Sequence, residues 1–465
     1  MDYKLEKLSL FSSWTKSVSG KSYLFEAKNI VDFKRIIELA RKNNLKLLIR
    51  GAGCSYGDEI LNDNNIIITL DCLNKVIMWD SDKGIMVVEP GVTFEQILTL
   101  SLKDNWILPV VPGTKFPTIG GAISNNVHGK NSFKEGNLGD WVVKFALLLA
   151  SSDVVECSRE KNKELFYSAI GGLGLLGIFT EITLQLKPIP SPFLSVKKWT
   201  EPNLFSLIDS LESSTSSADF VIGQVDCFPK GNNLGRGTVH TALFTKGDGK
   251  MENEKMPPHT PNKFINAISN PFFLNIARFL MSDMSMRSIS NIKFYMDNWN
   301  CNKSFCNEHF FDFNFLLDKI PNWKNVFMFG FVEHESLISK KKAGYVFEKI
   351  IKIAHQFKIP PYLCAIKAHK KDEFLLSFSK DGYSLGIDFP IVPRRFHILK
   401  KALRRMDEII LENGGLVYLA KDSLMDKDIF NVMYEGNERF KIIKKKYDPE
   451  NLFQSNMYRR LFKQM

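Results

Sequence analysis

Residues 112–141 read PGTKFPTIGGAISNNVHGKNSFKEGNLGDW, with six glycines, three lysines and one histidine. Bulky apolar side chains are nearly absent outside residues 119–123. Neither a core helix nor a buried strand has such a composition. Glycine stands where main chain must approach another group closely or take φ > 0. A polar run this long inside a globular chain is either functional or disordered. The small-residue segment TIGGAIS argues for order, because Gly120, Gly121 and Ala122 let a helix start lie against a flat ligand. An ordinary surface loop is the competing reading of the stretch taken alone.

The chain around it has 465 residues, 44% hydrophobic and 24% charged. That suits a globular protein of two or three domains, or one domain interrupted by another. The net charge of +11 favours an anionic partner: nucleic acid, a phosphorylated substrate or an anionic membrane surface. There is no zinc-finger spacing and no arginine-rich recognition helix, so neither nucleic acid nor a metal site is expected. The basic runs 340–342 and 444–446 fall in helical periodicity and read as solvated helix faces. Seven scattered cysteines without a CxxC suit a reducing compartment and no disulfide framework. The N-terminus MDYKLEKLSL lacks a signal-peptide pattern, and no stretch approaches the roughly 20 apolar residues of a membrane-spanning helix. A cytoplasmic protein is expected, with room for peripheral contact at the inner face of the membrane.

In chain order, residues 29–44 place Ile30, Phe33, Ile37 and Ala40 at helical spacing. Residues 46–50 read as a buried strand that runs into Gly51-Ala52-Gly53-Cys54-Ser55-Tyr56-Gly57-Asp58. A strand feeding a glycine-rich loop presents several main-chain N–H groups to a phosphate; a plain tight turn is the alternative. Strands follow at 66–70, 84–89, 142–150, 154–157 and 178–186, with helices at 93–102 and 161–170. Gly172, Gly174 and Gly177 spell GxGxxG, but they follow a helix and open a strand. A nicotinamide-binding turn requires the reverse. The proline-bearing segment 188–193 marks a boundary. Beyond it, strands at 220–227, 238–244, 326–333, 362–369 and 384–389 alternate with helices at 205–212, 341–357 and 396–413, an α+β pattern. Residues 246–261 are polar and rich in Pro and Gly. Residues 264–281, FINAISNPFFLNIARFLM, suit either a buried helix or a lid meeting lipid or a greasy substrate tail. Residues 417–420 read as a strand with Lys421 at its end.

The glycine loop after a strand, the run IGGAISNNVHGKN (119–131), Asp388-Phe389-Pro390, VYLAKDS (417–423) and Asp448-Pro449 occur in this order over most of the chain. Together they resemble the vanillyl-alcohol-oxidase-type (PCMH-type) FAD-linked oxidoreductases, and more narrowly the decaprenylphosphoryl-β-D-ribose 2′-oxidase branch. The resemblance implies an α+β fold with a two-part FAD-binding domain formed by both chain ends. Residues 1–190 would be its first part and 414–465 its completion, with a substrate domain at 191–413 on a mixed or antiparallel sheet.

Carried over by position, Gly51, Ala52, Gly53, Cys54, Ser55, Tyr56 and Gly57 would cradle the FAD pyrophosphate, with Arg50 beside them. Pro112, Gly113, Thr118, Gly121, Ala122, Asn125, His128 and Gly129 would line the flavin, with Asn131 next to them. Gly174, Gly177 and Ile178 would hold the adenine–ribose side. Tyr418 and Lys421 would sit by the isoalloxazine and the substrate hydroxyl, and Lys367 would face the flavin from the substrate domain. Lys421, Lys367 and Tyr418 are the catalytic candidates. Many relatives place a flavin-linked histidine where Cys54 stands, so FAD is expected to be held non-covalently, a thioether link being the alternative. Glu333 and Glu335 stand where the polyprenyl-ribose branch has amides, and Gly386 replaces a small side chain. The activity implied is oxidation of a secondary hydroxyl of a polyprenyl-phosphate-linked pentose, the first half of an epimerisation in cell-envelope polysaccharide biosynthesis. An NADH-dependent keto-sugar reductase would be the partner. The alternative is an oxygen-using oxidase of a free alditol or aldonolactone.

Overall fold

The computed structural model describes residues 3–246, 278, 281–300, 306–320 and 322–462. The segments 246–261 and 264–281 named above lie outside the described residues, apart from Lys246, Arg278 and Met281.

The first sheet has the order Ser9–Ser12, Ser19–Glu26, Ile66–Thr69, Leu47–Arg50. Its last two pairings are parallel. Between the second and third of these elements in sequence lies helix Ile30–Lys42. Phe33, Ile36, Ile37 and Ala40 form its buried stripe at 3.6-residue spacing. Asn29 caps it, its side chain accepting from Asp32 N at 3.0 Å, a contact of about 1 kcal/mol. A five-stranded antiparallel sheet follows, ordered Val76–Asp80, Ile85–Val88, Ile178–Gln185, Val142–Leu148, Val154–Ser158.

The third sheet has eight strands and is antiparallel throughout: Cys306–His309, Phe193–Glu201, Gly237–Phe244, Phe220–Val225, Leu363–His369, Gly382–Pro390, Phe331–Ser339, Leu416–Val417. Strand alternation gives it two chemically different faces. Val221, Val239, Ile366, Leu385 and Ile387 are fully buried on the side packed by helices Leu204–Thr215 and Lys340–Gln356. The other face carries polar groups. Glu335, Gly386 and Ala365 are register partners across three strands, and the row continues through Gln224, Thr238 and Thr200.

Most elements lie within a residue or two of the expected bounds, with three corrections. The strand expected at 326–333 is Phe331–Ser339. Gly330, at φ 78°, turns the chain, and pairing with Gly382–Pro390 draws in polar residues that periodicity reads as surface. The strand expected at 417–420 is Leu416–Val417 only, and it completes the edge of the eight-stranded sheet; Lys421 sits on the following 3₁₀ turn, Leu419–Lys421. Lys444 is not on a solvated face. It is buried, donating to Leu175 O at 2.7 Å and Phe453 O at 2.8 Å and pairing with Asp448. Asp448 in turn accepts from Leu452 N and Phe453 N, and Phe453 bridges in parallel to Leu47. The C-terminal segment is thereby tied to the strand that feeds the first glycine loop.

The six described cysteines are free. Among the described residues no helix is long and apolar enough to cross a membrane.

Candidate active site

A cavity of about 660 Å³ lies between the glycine-rich loops and the polar face of the large sheet. Strand Leu47–Arg50 delivers Gly51, Ala52, Gly53, Cys54, Ser55 and Tyr56 to its wall. The run 112–141 contributes Pro112, Gly113, Thr118, Gly121, Ala122, Asn125, His128 and Gly129. Gly174, Gly177 and Ile178 come from the turn after helix Lys163–Ala169, and Lys367, Tyr418 and Lys421 complete the set.

Three residues expected at the cofactor do not reach the wall. Arg50 lies beneath the loop, 5.1 Å from the Phe11 ring and donating to Ser12 O at 3.3 Å. It fills the space that a Cβ on Gly53 would need, and Gly53 has φ 66°. Gly57 abuts the chain near the C-terminus, where a Cβ would stand 1.9 Å from Asp422 O. Asn131 donates to Pro109 O at 2.6 Å and orders its loop.

The wall suits a long, flat, polar ligand. A Cβ on Gly113 would meet nothing within 4 Å, and one on Gly174 would meet first Ser124 Oγ at 3.8 Å. Bare main chain therefore faces the cavity at both places. Glu59 lines it with both carboxylate oxygens buried and unbonded, as is Asn125 Oδ1. Orphaned buried polar atoms call for hydrogen-bond partners from a ligand, and the hydroxyls, amines and carbonyls of FAD are such partners. Burial pushes the Glu59 carboxyl up to about 8.

The thiol of Cys54, which donates to Ala52 O at 3.8 Å, is also in the wall. Burial pushes it up to about 12, so it is a thiol, not a nucleophilic thiolate, at neutral pH. Acid precipitation of the holoprotein is expected to release its FAD into the supernatant. Flavin retained on the pellet in the natural protein, and released by Cys54→Ser, would establish a thioether instead.

On the sheet side the cavity holds a cluster of charges. Lys421 Nζ donates to Glu333 Oε1 at 2.6 Å, stands 3.7 Å from Glu335 Oε2 and lies 4.3 Å from the Tyr56 ring centre. Burial opposes the Lys421 charge, but Glu333, Tyr56 and Glu335 hold its ammonium well above the ordinary value. Lys367 Nζ and His128 Nε2 approach Glu335 Oε1 at 3.7 and 3.3 Å. Ser384 Oγ donates to that oxygen at 3.0 Å and is itself 2.8 Å from His369 Nε2. Burial works against ionisation of Glu335; His128, Lys367 and Lys421 outweigh it and hold the carboxyl well below its usual range. Burial, helped by the two ammonium groups and opposed by Glu335, pushes His128 below the ordinary imidazole value. Burial, then Glu333, push Asp388 well above the carboxylate range, so it keeps its proton. Gly386 makes room for this cluster, since a Cβ there would stand 3.0 Å from Glu333 Oε1. Tyr418 stacks on Phe378 at 4.8 Å and donates to Asn125 O at 3.0 Å, so its hydroxyl proton is already engaged.

The site thus brings together Lys421, Lys367 and Tyr418 with groups the sequence reading left outside it. Glu333, Glu335 and Asp388 were noticed as departures or motif residues, not as site residues. His369 was readable: it is two residues from Lys367 on one strand and so shares its face. The face of helix Asp283–Asn300 that carries Met286, Ile289, Ser290, Lys293, Phe294 and Asp297 also lines the cavity, and no signal in its sequence announced that.

Comparison with known proteins agrees with this geometry. Residues 22–158 match the family model described as an FAD binding domain. The chain is 26% identical to decaprenylphosphoryl-beta-D-ribose oxidase of Mycolicibacterium smegmatis, over 92% of each chain. It is 23% identical to L-gulonolactone oxidase of Mus musculus, over 97% of this chain and 98% of that one. A putative D-arabinono-1,4-lactone oxidase of Neurospora crassa is 27% identical over 40% of this chain and 33% of its own. With the cavity wall as described, residues 22–158 form an FAD binding domain, and the chain is an FAD-dependent enzyme acting on CH–OH groups that is similar to the vanillyl-alcohol-oxidase-type (PCMH-type) FAD-linked oxidoreductases.

Proposed function

We propose that the enzyme oxidises a secondary hydroxyl of a polyprenyl-phosphate-linked pentose to the ketone. The observation that carries this reading is the helix Asp283–Asn300. It lines with Met286, Ile289 and Phe294 the same cavity that holds Lys421, and a small free polyol has no use for that apolar wall. Its outer side leaves Met284, Ile292, Tyr295, Met296 and Trp299 exposed. Such a surface, continuous in sequence with the apolar segment 264–281, fits peripheral contact with the inner face of the membrane, where a lipid-linked substrate resides.

FAD, when bound, would supply a two-electron acceptor for hydride from the carbinol carbon. The chain's residues handle charge and protons. Lys421, held as an ammonium, orients the hydroxyl and stabilises negative charge that develops at the reacting centre. Glu333, bonded to Lys421, receives the hydroxyl proton. Lys367 helps keep Glu335 ionised below them. The ketone would then be consumed by an NADH-dependent reductase, so that the pair inverts the carbinol centre.

A second reading, oxidation of a free alditol or aldonolactone with oxygen, draws support from Glu333 and Glu335. Carboxylates in place of amides suit a different pattern of sugar hydroxyls. Anaerobic mixing with a short-chain polyprenyl-phosphoryl pentose, and separately with alditols and lactones, decides between them. Bleaching of the flavin visible band by the lipid-linked sugar alone is the expected outcome. Bleaching by a free polyol or lactone alone would replace it with the second reading.

A further inference from the structure

We infer that His240, Lys198, Lys293 and Lys130 form a subsite for a phosphoryl group carried by the substrate, on the sheet between the reacting centre and helix Asp283–Asn300. The inference deepens the proposed function and rests on it for the identity of the molecule that brings the phosphate.

Strand register assembles the subsite. His240 is the direct partner of Lys198 on one side and Ile222 on the other. All three line the cavity, so the imidazole and the ammonium stand together on its floor. One step along, Gln224 and Thr238 are partners on the same face. Lys293 reaches down from the helix to Gln224 Oε1 at 3.2 Å and to Asp297 Oδ2 at 2.5 Å. Lys130, from the glycine-rich run, is docked on the adjoining strand, since Val221 N donates to Lys130 O at 2.9 Å. Its ammonium is engaged with Phe313 O and Asn314 O.

The chemistry of the cluster points to an anion. His240 Nε2 is buried and has no hydrogen-bond partner, which is costly unless a ligand supplies one. Two carboxylates temper the cations: Glu308, 3.0 Å from Lys198, and Asp297. They leave the ammonium groups of Lys198 and Lys293, the amine of Lys130 and an imidazole against two carboxylates. The same cations bear on the imidazole they surround. Burial, then Lys198, Lys130 and Lys293, push His240 down to about 3, and burial pushes Lys130 down to about 7. A monoanionic phosphodiester placed here would relieve the repulsion and accept hydrogen bonds from lysine and from His240 Nε2–H. A neutral sugar would do neither.

The test uses the FAD-loaded enzyme and two substrates that differ only in charge: a short isoprenyl-phosphoryl pentose and the matching neutral isoprenyl pentoside. Anaerobic flavin reduction is followed for the natural protein, Lys293→Gln and His240→Gln. The natural protein is expected to prefer the phosphoryl substrate in KM, and each variant to reduce that preference at least tenfold. A preference that survives both variants overturns the subsite and leaves the proposed function standing. If neither isoprenyl sugar reduces the flavin and a free lactone does, the proposed function falls. The subsite is then judged by pyrophosphate alone, through ³¹P line broadening on the holoenzyme. Broadening lost in both variants upholds a site for free phosphoryl anions; broadening absent, or unchanged by both variants, overturns it.

Discussion

Replacing Lys421 with alanine is expected to leave a yellow protein that substrate no longer bleaches. Its ammonium is the cation joined directly to Glu333, 3.7 Å from Glu335 and above the Tyr56 ring. Loss of one such preorganised donor costs about 3–4 kcal/mol at the transition state, or roughly 10²- to 10³-fold in rate. The rest of the cofactor wall comes from loops that Lys421 does not hold, so the flavin-to-protein ratio should not change. Stopped-flow measurement of flavin reduction at saturating substrate separates the two. A Lys421→Ala protein that keeps its FAD and its rate would remove Lys421 from the mechanism. One that loses its FAD would make the residue a cofactor anchor.

The second large effect is predicted far from the chemistry. Asp448→Ala is expected to destabilise the fold by about 3–5 kcal/mol, the usual result of stripping the partner from a buried charge. Asp448 is 1% and Lys444 3% exposed, so water does not replace what is lost. Two main-chain donors, Leu452 N at 2.7 Å and Phe453 N at 2.8 Å, lose their acceptor in the same step. Those N–H groups hold the tail that bridges to Leu47, and Leu47–Arg50 leads straight into the glycine loop at 51–57. FAD affinity should therefore weaken along with stability. Urea unfolding of the natural protein and of Asp448→Ala and Asp448→Asn measures this. An unfolding free energy for Asp448→Ala within about 1 kcal/mol of that of the natural protein would show that the pair is dispensable.

Much of the fold was legible because its signals are local. Helix Ile30–Lys42 follows from apolar spacing and the Asn29 cap. The loop after Leu47–Arg50 follows from its glycines, and Gly53 and Gly174 do take positive φ. The GxGxxG run could be set aside as a nicotinamide turn because helix and strand stood in the wrong order, as Lys163–Ala169 and Ile178–Gln185 confirm. The polar floor of the cavity was harder to read. In Phe331–Ser339 the residues Glu333, His334, Glu335 and Ser336 form an unbroken polar run that reads as solvated, yet His334, Glu335 and Ser336 are buried. A polar side chain facing an internal cavity leaves the same mark in a sequence as one facing solvent.

The sequence by itself determined the glycine-rich cofactor loops, the α+β alternation and the identity of Lys421 and Lys367 as cations to watch. These rest on backbone freedom, periodicity and residue type, which are properties of short segments. Tertiary structure decided which charges meet. It set Lys421 on Glu333, paired His240 with Lys198, buried Lys444 against Asp448 and brought one face of helix Asp283–Asn300 into the cavity. Lys444 and Asp448 lie only four positions apart, but the contact of Lys444 with Leu175 O and the other contacts join residues tens to hundreds of positions apart. Their strength comes from burial and strand register, which arise only when the sheets and helices close around the cavity.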